Sequence, residues 1–194
     1  ANRALCAMLS QIGTSLAGAP VFPLSSVTGE GLDALRAHLA SEAASTQMRD
    51  ARGRFRLAVD RAFVLKGTGV VVTGSAHSGM VAVEDKLILA PRGLEVRVRG
   101  LHAQNTAAER GWAGQRCALN LTGPRLDRDN VSRGDWLVAP ELFVTTDKLD
   151  VELRVSPHAG RPLQHWTPVH AHLGAARLTG RVAVPEGDSI DHGM

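Results

Sequence analysis

The chain has 194 residues, enough for one or two domains with a sizeable core. Hydrophobic residues make up 44% and charged residues 21%, a globular balance that excludes a disordered chain, and a formal net charge of +3 does not by itself mark a nucleic-acid binder. Cys6 and Cys117 are too few and too far apart for a disulfide framework, which fits a reducing compartment. No apolar run approaches the roughly 18–20 residues of a membrane span, and no signal-peptide pattern opens the chain. The expectation is a soluble, cytoplasmic protein. Lysines occur only at 66, 86 and 148, and the other basic side chains are arginines. Arginine suits planar phosphate and carboxylate recognition, although an arginine-rich genome gives the same bias.

Residues 1–16 carry Leu5, Met8, Leu9 and Ile12 on one stripe, which predicts a helix. Pro20 to Ser25 reads as a short strand, and Thr28-Gly29-Glu30-Gly31 as the turn that follows. Leu32, Leu35 and Leu39 then recur at helical spacing, with Asp33 in the first turn, where the helix dipole favours an anion. Residues 41–52 read as a helix end running into a linker. Helix–strand–helix is too little for a domain, so residues 1–52 are expected to be the tail of a larger α/β domain.

From Arg54 to about Ala139 short alternating strands are separated by Gly, Pro and Asp turns. Phe55, Leu57, Val59 and Phe63 share one face, Lys66 to Gly69 make a turn, and Val70 to Thr73 return. Leu94, Val96 and Val98 alternate with charged residues, and Cys117, Leu119 and Leu121 with polar or small ones. This spacing predicts an antiparallel barrel over 53–141, with Cys117 in its core rather than acting as a nucleophile. Arg61 breaks the alternation by falling on the apolar side with Val59 and Phe63, and a cation there needs a partner or a purpose. Beyond Pro140, residues 149–155, 166–173 and 177–184 predict three further strands of a second, partial barrel over 142–194, with edges that a complete barrel would close.

Several phrases carry a resemblance. Gly67-Thr68-Gly69-Val70-Val71-Val72-Thr73-Gly74, followed by Ser78-Gly79-Met80-Val81, resembles the second, barrel domain of translational GTPases. Leu101 to Asn105, Ala113-Gly114-Gln115-Arg116 and Arg133-Gly134-Asp135-Trp136-Leu137 resemble the selenocysteine-specific elongation factors within that family. The resemblance covers nearly the whole chain with its phrases in order. It implies an internal fragment: the end of a GTPase domain, all of the second-domain barrel, and the first part of a third.

Other sites follow from that resemblance. Ser25-Ser26-Val27, continued by Thr28 to Leu35, is similar to the family's last guanine-recognition motif, implying a backbone N–H from Ser26 to the guanine carbonyl. Read alone, Ser-Ser before Gly is an ordinary loop and cap. No Gly-x-x-x-x-Gly-Lys-Ser/Thr loop and no Asn-Lys-x-Asp occurs, and Asp50-Ala51-Arg52-Gly53 matches a magnesium motif only by its letters. GTP and magnesium are therefore expected of the parent protein and not of this chain, which has no expected catalytic residue.

Asp60, Arg61 and Arg116 are the most informative group. Their ordinary reading is a strand-edge salt bridge plus one solvated arginine. The resemblance implies an aminoacyl pocket at these positions. A selenol is far more acidic than a hydroxyl, so selenocysteine on its tRNA is an anion that two guanidinium groups would stabilise, while seryl-tRNA would gain little.

His170-x-His172 has metal-ligand spacing but no Cys, Asp or Glu cluster beside it, so no metal is expected. The resemblance puts His170 and Arg181 near the tRNA-facing side of the third domain. Arg133-Gly134-Asp135 spells an adhesion triplet, yet lies where the family enters its last barrel strand. The implied function is binding selenocysteinyl-tRNA within a factor that works on the ribosome and reads a messenger hairpin through C-terminal domains absent here. Two alternatives use the same barrel: a general elongation or initiation factor, and a non-catalytic protein-interaction module.

Overall fold

The computed structural model describes residues 19–46, 51–156, 159–185, 187 and 189–190. The helix expected over residues 1–16, together with Cys6 and Asp50, lies outside them. The chain divides into two compact units, Met48–Leu149 with His170–Gly180, and Ala1–Gln47 with Asp150–Val169 and Arg181–Met194. No described helix is long and apolar enough to cross a membrane.

Nine strands build the Met48–Leu149 part of the first unit: β1 (Arg56–Leu65), β2 (Gly69–Ser78), β3 (Met80–Ala82), β4 (Lys86–Ala90), β5 (Leu94–Ala103), β6 (Thr106–Ala107), β7 (Arg110–Trp112), β8 (Arg116–Thr122) and β9 (Trp136–Val138). Six of them pair antiparallel in the order β4-β9-β1-β2-β8-β5, and β5 pairs back to β4. The sheet thus closes into a barrel, which removes exposed ladder edges. β6 extends β5, and β3 pairs with β7 as a separate ribbon. Inward positions are filled by the apolar halves of each alternation, among them Leu57, Val59, Val72, Leu89, Val98, Leu119 and Leu137, all fully buried. Each such side chain contributes about 1.5–3 kcal/mol by leaving water.

β1 departs from plain alternation at one point. Val59 faces Gly74 but Arg61 faces Thr73, so Asp60 is an extra residue in β1. Such a bulge resets which face later residues take. Ala62 packs against the core, while Arg61 and Phe63 are exposed. The expectation that Arg61 and Phe63 share the core face with Val59 is therefore wrong beyond Asp60. Gly74 permits the bulge, because a Cβ there would run into the Ala58 carbonyl oxygen and meet Leu57 Cδ2 at 2.6 Å.

In the second unit α1 (Leu32–Ser45) half-buries Leu32, Leu35 and His38, and the His38 ring lies 4.9 Å from that of Phe22. Leu39, expected on that stripe, is exposed, and His38 takes its place. Pro20 to Ser25 forms no strand. Pro23 has no N–H to give a ladder, and no described strand lies alongside to receive one. Residues 149–155 likewise form no strand despite their alternation; Leu149 and Val151 are exposed and only Val155 is buried. Alternation permits a strand, but a ladder partner makes one. Farther on, β11 (Thr167–Leu173) pairs with β12 (Ala176–Val182), close to two of the expected strands and with residues 170–180 belonging to the first unit, while the short pair β10 (Leu163–Gln164) and β13 (Ser189–Ile190) was not expected.

A candidate anion site on the outer face of the barrel

Asp60, Thr73 and Arg116 meet on three neighbouring strands, β1, β2 and β8. Arg116 alternates outward with Ala118 and Asn120 while Cys117, Leu119 and Leu121 are buried, so its side chain lies on the outer face. Its Nη2 donates to both Asp60 oxygens, each at 2.9 Å, and its Nε donates to Asp60 Oδ2 at 3.2 Å. The Thr73 hydroxyl donates to Asp60 Oδ1 at 2.6 Å and accepts from Arg116 Nη2 at 3.2 Å. Among the described residues Arg61 donates no hydrogen bond, and it acts on Asp60 through its charge.

Asp60 is poised between opposing effects. Burial alone would raise its pKa, but the Thr73 hydrogen bond, the Arg116 hydrogen bond and charge, and the Arg61 charge together hold it below its ordinary value. The carboxylate is therefore ionised at neutral pH. The charges of Arg61 and Arg116 set against that of Asp60 leave one positive charge in excess. Arg116 Nη1 and the whole of Arg61 remain available, so the site can receive one anion.

The structure thus brings Asp60 and Arg116 together, while Arg61, turned outward by the bulge, acts on Asp60 through its charge without a contact to either. Thr73 was missed, although the register was available. Counting back from the Lys66–Thr68 turn sets Arg61 opposite Thr73, and an arginine out of phase is itself a sign of a bulge.

Asp135 was also missed. It is 5% exposed, and its Oδ2 accepts from Arg92 Nη1 at 2.7 Å and from the Ser132 amide at 2.8 Å. Its carbonyl accepts from the Val59 amide, and the Gly134 amide donates to the Val59 carbonyl, both at 2.9 Å. The Arg133-Gly134-Asp135 triplet is a structural turn that continues the β1 ladder up to the bulge. Cys117 is buried in the core, and burial pushes its thiol pKa up.

Elsewhere, Ser25 organises a turn: its amide donates to the Glu30 carbonyl, its carbonyl accepts from Gly29, and its hydroxyl accepts from the Thr28 amide. The Ser26 amide donates to no described residue, and Val27 is exposed. His170 and His172 are both exposed, and His170 Nε2 lies 3.1 Å from Arg177 Nη2. Arg181 donates to the Trp166 carbonyl. No group of three or more metal-ligating side chains occurs among the described residues.

Comparison with known proteins identifies the family of the fold. The family model for the selenocysteine-specific elongation factor, beta-barrel domain, matches residues 148–191. The selenocysteine-specific elongation factor of Haemophilus influenzae is 43% identical over 172 residues, which cover 89% of this chain and 26% of that protein. That of Escherichia coli is 43% identical over 173 residues, covering 88% of this chain and 26% of that protein. The chain belongs to the selenocysteine-specific elongation factor family. It spans about a quarter of the length of these two relatives. Among solved structures, a bacterial selenocysteine-specific elongation factor superposes with a TM-score of 0.66 at 28% identity, over 84% of this chain and 27% of that one. The apo form of translation elongation factor SelB from Methanococcus maripaludis reaches a TM-score of 0.80 over 99% of this chain and 44% of that one, and at 24% identity shares the fold. The mostly β architecture with its closed antiparallel barrel is thus that of the selenocysteine-specific elongation factors.

Proposed function

We propose that the barrel holds the aminoacyl end of selenocysteinyl-tRNA, with Asp60, Arg61 and Arg116 as its anion site, in a factor that delivers this tRNA to the ribosome in the cytoplasm. One observation carries the reading: Arg116 is oriented by Asp60 along its Nε–Nη2 edge, while Arg61 and Arg116 Nη1 stay uncommitted. A selenolate has the charge such a site neutralises, whereas the neutral seryl hydroxyl has none. Asp60 also remains an acceptor for the aminoacyl ammonium group. His170 and Arg181 are proposed as weaker contacts to the tRNA acceptor arm.

GTP hydrolysis, magnesium and messenger-hairpin reading are proposed for the full-length protein. Within this chain, the free Ser26 amide on its exposed turn fits a single acceptor such as the guanine carbonyl. The residues present include no phosphate-cradling loop, so this chain is expected neither to bind nor to hydrolyse GTP. The proposed division is the end of the GTPase domain over 1–52, the second-domain barrel over 53–141 and part of a third domain over 142–194.

The test is binding of selenocysteinyl-tRNA and seryl-tRNA to the full-length factor carrying Arg61→Ala or Arg116→Ala. Each substitution should weaken selenocysteinyl-tRNA by about 1–3 kcal/mol and seryl-tRNA by less. Equal losses for both would reduce the arginines to phosphate contacts. Equal affinity of the unaltered factor for every aminoacyl-tRNA would favour a general elongation factor, and no tRNA binding an interaction module.

A further inference from the structure

Thr73 and Asp135 are the two buried polar or charged residues among those described. Asp135 is accounted for by its turn. A threonine on the outer face of a strand is ordinary, since its branched side chain suits a pleated surface. Its surroundings here are not. Thr73 stands directly opposite Arg61 in the ladder and beside Ala118 of β8, so it sits where the Asp60 and Arg116 side chains meet. Its hydroxyl hydrogen is committed to Asp60 Oδ1 and one of its lone pairs to Arg116 Nη2. Donor and acceptor are both used, and both partners belong to the proposed site.

We propose that Thr73 is a positioning residue for the anion site, fixing the Asp60 carboxylate so that it grips the Nε–Nη2 edge of Arg116 and leaves Nη1 and Arg61 to the ligand. The inference rests on the aminoacyl reading above. A carboxylate on an unpaired bulge residue turns freely about its last torsion, and Asp60 has an arginine on either side to choose from. Bound to Arg61 instead, it would cancel the group that has no other partner and release Arg116 from its fixed orientation. The Thr73 bond removes that choice by holding Oδ1 toward β2. It acts before the ligand arrives, so its effect is preorganisation.

Thr73→Val keeps the branched shape and removes the hydroxyl, and Thr73→Ser keeps the hydroxyl and removes the methyl. In the full-length factor, Thr73→Val should weaken selenocysteinyl-tRNA binding on the order of ten-fold, the scale of one hydrogen bond to a charged group. Thr73→Ser should bind close to wild type. Carbon-13 titration of the Asp60 carboxyl in the 194-residue chain gives a second reading. Thr73→Val should move its midpoint up, because a bond that favours the ionised form is lost, and Thr73→Ser should restore it. An unmoved Asp60 titration in Thr73→Val, or Thr73→Ser binding as poorly as Thr73→Val, would overturn the proposal. Arg61→Ala and Arg116→Ala separate the two levels. If both bind selenocysteinyl-tRNA like wild type, the aminoacyl reading fails, and a shifted Asp60 titration in Thr73→Val still establishes that Thr73 positions the pair.

Discussion

Arg116 closes on Asp60 with Nη2 2.9 Å from each carboxylate oxygen, although 56 positions separate the two residues in sequence. The contact joins the start of β8 to the middle of β1 across the intervening strand β2. The outward placement of Arg61 next to it depends on a single extra residue. Without the bulge, Asp60 would follow Val59 in simple alternation and Arg61 would turn toward the core. With it, Asp60 and Arg61 both act at the outer face where Arg116 emerges. Local backbone irregularity is thus what converts three polar residues into one site.

The bridge itself should add little to stability. Its side chains are 55% and 32% exposed, for arginine and aspartate respectively, and pairs so accessible to water contribute about 0–1 kcal/mol. Arg116→Ala should accordingly shift the urea midpoint of the chain only slightly, however strongly it affects ligand binding. A loss of several kcal/mol would make the pair a structural element of the barrel instead.

The acid dependence of this pair has a defined sign. Asp60 titrates below its ordinary value of 3.8 in the folded chain, because the hydrogen bonds and the arginine charges outweigh burial. Its contribution to stability is therefore present above the unfolded value and lost as pH falls through the folded one. Wild type and Asp60→Asn should show the same pH dependence of unfolding from pH 7 to about 5, and diverge only below about 4. Curves that diverge near pH 6 would mean that burial wins and the pKa is raised.

Much of the fold is legible in the sequence because a barrel strand states its inward face in every second residue. Leu94, Val96 and Val98, and Cys117, Leu119 and Leu121, show this plainly. The segment 149–155 fails for the opposite reason, since its alternation of Leu149, Val151, Leu153 and Val155 is as clear as any, yet nothing described pairs with it. Strand formation is a property of two segments, and one segment shows only its readiness. At the site, Asp60, Arg61 and Arg116 were found through the resemblance. Thr73 was hidden inside an apolar run, and Asp135 inside a triplet with a distracting meaning. Their roles come from partners far away in sequence, which periodicity does not register.

Hydrogen exchange should follow the ladders. The barrel strands are paired on both sides and enclose a shared core, whereas β10 and β13 pair over two residues each and residues 149–155 pair with none described. Amides of 149–155, 163–164 and 189–190 should exchange much faster than those of 56–65, 69–78 and 116–122 in the isolated chain. Equal protection across these segments would show that the later strands belong to a complete cooperative unit.

Asp135 should matter more for folding than any member of the candidate site. Asp135→Ala removes the 2.7 Å bond to Arg92 and the acceptor for the Ser132 amide, both at a carboxylate that is almost fully buried. A cost of about 2–3 kcal/mol is expected, the scale of lost bonds to a charged group. Arg92 is 37% exposed, so water can take over its side and the loss stays at that scale. Thermal unfolding measures it, and an unchanged Tm would leave the burial of this carboxylate without a stabilising role.

Gly74→Ala tests whether the bulge is what assembles the site. Gly74 sits across from Val59, one step before the extra residue, and β1 comes so close that a Cβ would run into the Ala58 carbonyl oxygen. Leu57 Cδ2, on a fully buried side chain, would lie 2.6 Å away on the same side. Neither neighbour can yield, one being backbone within the ladder and the other locked in the core. The strand would have to move outward, costing about 1–3 kcal/mol or more by the usual scale of overpacking. Displacing β1 at Ala58 also displaces Asp60 two residues later, so the Asp60 carboxyl titration should rise toward its ordinary value as the bonds to Thr73 and Arg116 lengthen. Gly111→Ala is the control, because its added Cβ would press on Cys117 Sγ at 2.8 Å inside the barrel and should destabilise the fold while leaving the Asp60 titration in place. Gly74→Ala that folds with an unchanged Asp60 titration would show that the bulge tolerates a side chain opposite it and that the site is assembled by the charges alone.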